Sequence, residues 1–180
     1  MRKKYGFTLA ETLLTILIIG IIAAATLPTV QKSLGDKNET MKTKCVYIME
    51  QTIAQMLDDD TLYPQSNTMP SVGFENTDTV RVGADTFGGN TKFCEIFSSK
   101  IAKAPSSGTN CVANSKTFTS ADGVDWYLPV SNFTGTREII KIDVNGGDED
   151  PNCKYHATSC TKPDIFEFYL TPMGKLYPAS

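Results

Sequence analysis

The feature that most constrains this chain is an apolar run of 21 residues near its N-terminus, from residue 7 to residue 27. The run contains a single charged side chain, Glu11, and three cations stand immediately before it: Arg2, Lys3 and Lys4. A helix of this length extends for about 31 Å, which matches the hydrocarbon thickness of a bilayer. The cations predict that its N-terminal end stays in the cytoplasm and that the rest of the chain is exported.

Two simpler interpretations of this segment compete with a functional membrane helix. A secretory signal peptide also begins with cations and an apolar stretch, and residues 23–25, all alanine, offer a small-residue cleavage site. A passive membrane anchor is the other alternative. Neither explains Glu11, because a carboxylate inside a bilayer is costly and is usually retained for a function.

Residues 3–11 read Lys-Lys-Tyr-Gly-Phe-Thr-Leu-Ala-Glu, and the apolar run then continues to Pro28. This segment resembles the class III signal of type IV pilins and type II secretion pseudopilins. The resemblance implies that a membrane-embedded prepilin peptidase cuts between Gly6 and Phe7 and methylates the new terminus at Phe7. It also makes Glu11 the fifth mature residue and Pro28 the position of a helix kink.

Glu11 has a physical role in this interpretation. After cleavage, the ammonium group of Phe7 lies one helical turn from Glu11, and the ammonium group of an incoming subunit can approach Glu11 of a subunit already assembled. A paired carboxylate in lipid costs less than an unpaired one, so this contact favours docking in one axial register.

The resemblance and the hydrophobic pattern divide the chain into three parts. Residues 1–6 form the leader, residues 7–28 the transmembrane and polymerisation helix, and residues 29–180 the globular exported domain. Apolar positions recur at helical spacing as far as Leu57, which predicts a helix from about residue 9 to residue 57 with a transmembrane half and an amphipathic half. We expect an α+β fold in which this long helix packs on a small antiparallel sheet, as in pilins.

The remaining elements are predicted from local patterns. Residues 61–90 are rich in turn formers and indicate a long loop with short ordered pieces, and residues 91–103 suggest a short helix. The C-terminal third alternates apolar and polar residues, which indicates strands. The expected strands are 116–119, 124–130, 137–144, 165–170 and 175–177.

Five cysteines in an exported domain indicate disulfides first. Cys153 and Cys160 are close enough in sequence to clip a loop, and Cys94 and Cys111 form the next natural pair. Cys45 is then a buried thiol, although it is also a possible partner of either Cys94 or Cys111. A zinc site using His156 between the last two cysteines is a less favoured alternative, because no fourth ligand is evident.

Residues 143–152 form an acidic turn with oxygen ligands of the kind that calcium prefers. The candidate ligands are Asp143, Asn145, Asp148 and Asp150, with Asn152 nearby. The turn resembles the loop before the last strands of many pilin-like proteins, some of which bind calcium there. The alternative is an Asx-rich turn that satisfies its own backbone. No cofactor is required by this interpretation, and calcium is the one that the sequence suggests.

The sequence does not favour an enzyme or a nucleic-acid-binding protein. His156 is the only histidine, nothing places a nucleophile beside it, and no nucleotide-binding or zinc-protease motif occurs. The formal net charge is −3, and removal of the leader takes away three cations, so nucleic acid is not an expected partner.

We therefore expect a structural subunit of a type IV pilus or a type II secretion pseudopilus. It would enter the inner membrane as a single-pass protein with a cytoplasmic N-terminus and then form a periplasmic or cell-surface filament of many copies. Its expected partners are the prepilin peptidase, an inner-membrane assembly platform, other minor pilins or pseudopilins, and lipid before assembly. The alternative is a membrane-anchored exported binding module with a calcium-stabilised loop.

Overall fold

The computed structural model describes residues 10, 12–22, 37–64, 73–134 and 137–179. Two compact units are present, residues 1–40 and residues 41–180. In the first unit, residues 10 and 12–22 are helical, and the large apolar side chains from Leu13 to Ile22 are each about half exposed or more. Within the ranges described, we found no helix with both the length and the apolar character needed to cross a membrane.

Helix α1 extends from Lys37 to Leu57. Its buried apolar residues recur every three or four positions and therefore form one stripe along the helix. These residues are Cys45, Met49, Ile53 and Met56. The helix ends at Leu57, where the sequence predicted its end, and Asp59 then accepts hydrogen bonds from the backbone and hydroxyl of Thr61. The predicted course of this helix between residues 23 and 36 lies outside the described residues.

A small hairpin and a second helix follow α1 along the chain. Strands β1 (Val80–Val82) and β2 (Asp85–Phe87) pair antiparallel around a turn in which Gly83 has a positive φ of 65°. Helix α2 (Lys92–Ser99) follows a single 3₁₀ turn and buries Phe93, Ile96 and Phe97. The hairpin lies in the segment predicted as a long loop with short ordered pieces, and α2 lies within the predicted short helix.

The C-terminal part forms one antiparallel sheet of five strands in sequential order. The strands are β3 (Phe118–Thr119), β4 (Asp125–Tyr127), β5 (Glu138–Asp143), β6 (Ile165–Leu170) and β7 (Leu176–Pro178). The central pair is the longest, with Glu138 opposite Leu170 and Asp143 opposite Ile165. Alternate residues of β6 are buried, which is typical of a sheet covered on one face.

The hydrophobic core of the second unit joins the buried stripe of α1, the apolar face of α2 and the covered face of the sheet. Aromatic rings fill its centre, where Phe74 lies 4.8 Å from Phe93 between ring centroids and Phe97 lies 5.7 Å from Trp126. The described residues therefore form an α+β fold with two antiparallel sheets; the sequence predicted the α+β class and one of these sheets.

Candidate functional site

The acidic turn lies between β5 and β6 and is held at its middle and its end by buried carboxylates. At its middle, the backbone N–H of Gly147 donates to Asp125 Oδ2 over 3.2 Å. At its end, the backbone N–H groups of Asn152 and Cys153 donate to the two oxygens of Asp164 over 2.8 and 2.7 Å. Asp125 itself sits opposite Asp143 across the β4–β5 pair. The loop is thus anchored to the sheet by charge-assisted hydrogen bonds.

Asp143 is the carboxylate of this group that lacks a full set of donors. It is 3% exposed, and its Oδ1 has no hydrogen-bond partner, nor does the buried Oδ1 of Asn145 two residues later. Burial raises the pKa of Asp143, and the negative charges of Asp164 and Asp125 raise it further, against an opposing effect of backbone N–H donors from the turn. Two unpartnered hard oxygen atoms fit the ligand chemistry of calcium.

The other two predicted ligands do not join them. Asp148 and Asp150 are exposed, and the side-chain amide of Asn145 donates to the carbonyl oxygens of Glu149 and Asp150 over 3.3 and 3.2 Å. In the part of the chain that the structure covers, no group of three or more His, Cys, Asp or Glu side chains is arranged to hold a metal ion. The loop satisfies much of its own backbone, and calcium binding through it stays a prediction.

Two disulfides join the four cysteines in the pairs that the sequence favoured. Cys94 in α2 bonds Cys111, and Cys153 bonds Cys160, seven positions further along the chain. The thiols of Cys153 and Cys160 are therefore consumed in a disulfide, which does not suit the zinc alternative. His156 is exposed, and its ring packs 4.0 Å from that of Tyr155 between centroids.

Cys45 is the free cysteine of the described chain. It is fully buried in the stripe of α1, and burial raises the pKa of its thiol to about 12. A thiol of this kind is inert at neutral pH, so Cys45 acts as a core residue.

The predicted processing and assembly residues lie outside the described residues. These are Gly6, Phe7, Glu11 and Pro28. The described residues therefore give no distances or contacts that bear on cleavage, methylation or the register contact of Glu11.

The sequence patterns did not predict that several polar residues are buried. Asp125 and Asp164 anchor the acidic turn; Asp125 is the first residue of β4, and Asp164 directly precedes β6. Lys92 is 1% exposed, although its charge favoured a surface position. Its spacing of four from the buried Ile96 is the signal that would have placed it on the inner face of α2.

Comparison with known proteins identifies the N-terminal segment. Residues 1–27 match the family model of the prokaryotic N-terminal methylation motif. The chain therefore carries the class III prepilin-like signal of type IV pilins and pseudopilins, as its first residues indicated. Comparisons with curated proteins and with solved structures found no match. The motif supports a subunit of the pilin or pseudopilin type, and proteins of that type are structural.

Proposed function

We propose that this protein is a structural subunit of a type IV pilus or of a type II secretion pseudopilus. It is cleaved between Gly6 and Phe7, methylated on the amino group of Phe7, and polymerised through its apolar helix. The observation that carries this proposal is the methylation motif at residues 1–27. Before assembly the chain is a single-pass inner-membrane protein with a cytoplasmic N-terminus, and afterwards it belongs to a periplasmic or cell-surface filament.

The proposal assigns a task to each of three segments. Residues 1–6 are the leader that the prepilin peptidase removes, and residues 7–28 hold the subunit in lipid and then in the filament core. Residues 29–180 form the globular exported domain. An inner-membrane assembly platform and other minor pilins or pseudopilins are the expected partners.

Two features of the described residues support this assignment. The large apolar side chains of residues 13–22 are broadly exposed within a helical segment, and such a surface is stable only against lipid or against other helices. Two disulfides occur in the second unit, which suits an oxidising compartment outside the cytoplasm.

The experiment that tests processing is an intact mass measurement, without reduction, of the protein from its native membrane or from sheared surface material. We expect a chain that begins at Phe7 and carries one added methyl group. A chain that retains Met1, or one cut after Ala25, would contradict the proposal and indicate a passive anchor or an ordinary secreted domain.

We further infer that the acidic turn binds calcium, with Asp143 and Asn145 as its principal ligands. The observation that favours this is the pair of buried side-chain oxygens without hydrogen-bond partners. A calcium ion bound there offsets the repulsion among the buried carboxylates. It also gives the two unpartnered oxygens of Asp143 and Asn145 a partner.

Calcium should therefore raise the melting temperature of the full chain in detergent, followed by the fluorescence of its single, buried Trp126. At a calcium concentration of 100 times Kd, the stabilisation is about 2.7 kcal/mol. The variant Asp143→Asn should lose most of this response, whereas the control Asp85→Asn, an exposed position in β2, should keep it. An unchanged melting temperature across a calcium titration would remove the site.

A further inference from the structure

A buried lysine and a buried asparagine lie in direct contact beside the aromatic core. Lys92 opens α2 and is 1% exposed, and Asn76 is 3% exposed. The Lys92 Nζ donates to the backbone oxygen of Asn76 over 3.0 Å and contacts its side-chain Oδ1 over 3.4 Å. No carboxylate forms an ion pair with Lys92 among the residues that the structure describes.

The surroundings of this amine are largely aromatic. Its Nζ lies 4.5 Å from the centroid of the Tyr63 ring, and Tyr63 packs on Phe74, which packs on Phe93. Burial lowers the pKa of Lys92 to about 8, with a smaller opposing effect from the charge of Asp78. A minor fraction of the amine, far larger than for an ordinary lysine, is therefore neutral near physiological pH, with a lone pair available for bonding.

The amide of Asn76 is held in a fixed orientation next to this amine. The backbone N–H of Asp78 donates to its Oδ1 over 3.0 Å, and its Nδ2 donates to the carbonyl oxygen of Pro64 over 3.3 Å. Because a carbonyl bond is about 1.2 Å long, the Nζ of Lys92 lies within about 4.6 Å of the amide carbon. The N–H of Asp78 also stands where negative charge would develop if that carbon were attacked.

We propose that Lys92 and Asn76 become joined by an intramolecular amide bond. The neutral Nζ adds to the side-chain amide carbon of Asn76, and the oxyanion that forms accepts the hydrogen bond from the N–H of Asp78. A proton passes from the attacking nitrogen to the departing amide nitrogen, the carbon–nitrogen bond to that group breaks, and ammonia leaves. The reaction consumes no oxidant, reductant or cofactor.

The product removes a buried charge and adds a covalent constraint. The new bond closes the chain between positions 76 and 92, which are 16 apart, and so encloses the β1–β2 hairpin. The disulfide from Cys94 to Cys111 begins two residues later in the same helix. Together the two bonds tie residues 76–111 into consecutive closed loops anchored on α2. This inference does not depend on the proposed filament function.

Two mass measurements on the full-length chain test the bond. After reduction of the disulfides, the intact mass should lie below the sequence mass, corrected for processing, by one molecule of ammonia. In a tryptic digest, the peptides containing Asn76 and Lys92 should appear as one branched species, with no cleavage after Lys92. A full intact mass with separate, unmodified peptides would overturn the proposal.

Two variants distinguish the bond from a succinimide at Asn76, which also releases ammonia. Lys92→Arg should restore the full mass, and the matched control Lys100→Arg, at an exposed position, should keep the loss. Persistence of the loss in Lys92→Arg would overturn the bond. If Lys92→Arg fails to fold, the branched peptide from the unaltered chain decides by its presence or absence.

Discussion

Three carboxylates are buried at the end of the sheet where β4 pairs with β5 and β6 begins. Asp125 and Asp143 are each 3% exposed, and Asp164 is fully buried. Asp125 and Asp164 accept hydrogen bonds at both oxygens, including one from Lys116 to Asp125. Asp143 has an unpartnered oxygen, and its burial, together with the negative charges of Asp164 and Asp125, raises its pKa.

Neutralising Asp143 should therefore stabilise the protein when calcium is absent. Because the folded state raises the pKa of Asp143, its contribution to stability is full below the unfolded pKa of about 3.9 and is lost as the pH rises through the folded pKa. Asp143→Asn should raise the melting temperature at pH 7 in the presence of a chelator, and this gain should vanish near pH 3.

The measurement is thermal unfolding at both pH values, followed by Trp126 fluorescence. Asp148→Asn changes the same charge at an exposed position of the same turn and should have little effect. A lower melting temperature for Asp143→Asn at pH 7 with chelator would show that the ionised carboxylate stabilises the fold.

Two segments of the chain approach each other closely at two glycines, Gly73 and Gly174. Gly174, in the turn before β7, has a φ of 78°, and Gly73 has a φ of 64° with its neighbour Phe74 donating to the carbonyl oxygen of Pro172 over 2.9 Å. A Cβ on Gly174 would lie 2.4 Å from Leu57 and 2.9 Å from Ile53 in α1. A side chain at position 174 would therefore force the turn or these two side chains to shift.

Gly174→Ala should lower the free energy of unfolding by about 2–5 kcal/mol, which combines backbone strain at a positive φ with overpacking against α1. Gly123→Ala is a matched control, since Gly123 has a φ of 88° but an added Cβ meets nothing within 4 Å. That variant should lose only about 1–2 kcal/mol. Equal losses in urea denaturation of the two would contradict the packing argument.

The sequence predicted the elements with strong periodicity and missed the features set by tertiary contacts. The end of α1 at Leu57 and the central strands β5 and β6 follow from repeating apolar positions. The β1–β2 hairpin has strands of three largely exposed residues, which leave no pattern of alternating burial. The spacing of Lys92 from Ile96 places it on the inner face of α2, but no local pattern relates it to its partners Asn76 and Tyr63.

The same limit applies to the candidate calcium loop. The turn and its oxygen-rich composition were readable from residues 143–152, but the structure gives unpartnered buried oxygens only to Asp143 and Asn145 of the four candidates. Asp148 and Asp150 face solvent, and the side-chain amide of Asn145 donates to the backbone carbonyls of Glu149 and Asp150. Spacing alone does not reveal which oxygen atoms the loop leaves without donors.

At the scale of the whole molecule, an apolar N-terminal segment is joined to a folded unit with its own core. If the subunit polymerises as proposed, Glu11 is the charged residue that the apolar run must accommodate. Its pairing with the amino group of Phe7 on a neighbouring subunit would set the register of the filament.

Glu11→Val should therefore abolish filament assembly while leaving membrane insertion and cleavage after Gly6 intact. The measurement compares sheared filaments with membrane-bound subunits by immunoblotting. Glu39→Val, an acidic-to-apolar change at an exposed position of α1, serves as the control and should assemble. Filaments of normal length from Glu11→Val would contradict the register role and favour a passively anchored binding module.

The two edge strands of the five-stranded sheet are short. Its outer strands are β3, with two residues, and β7, with three residues and a terminal Pro178 that has no N–H to donate. Outer strands this short offer poor templates for strand addition by another copy. If the chain forms a filament as proposed, its outer strands would therefore resist pairing with neighbouring copies, and contacts between copies would be left to other surfaces.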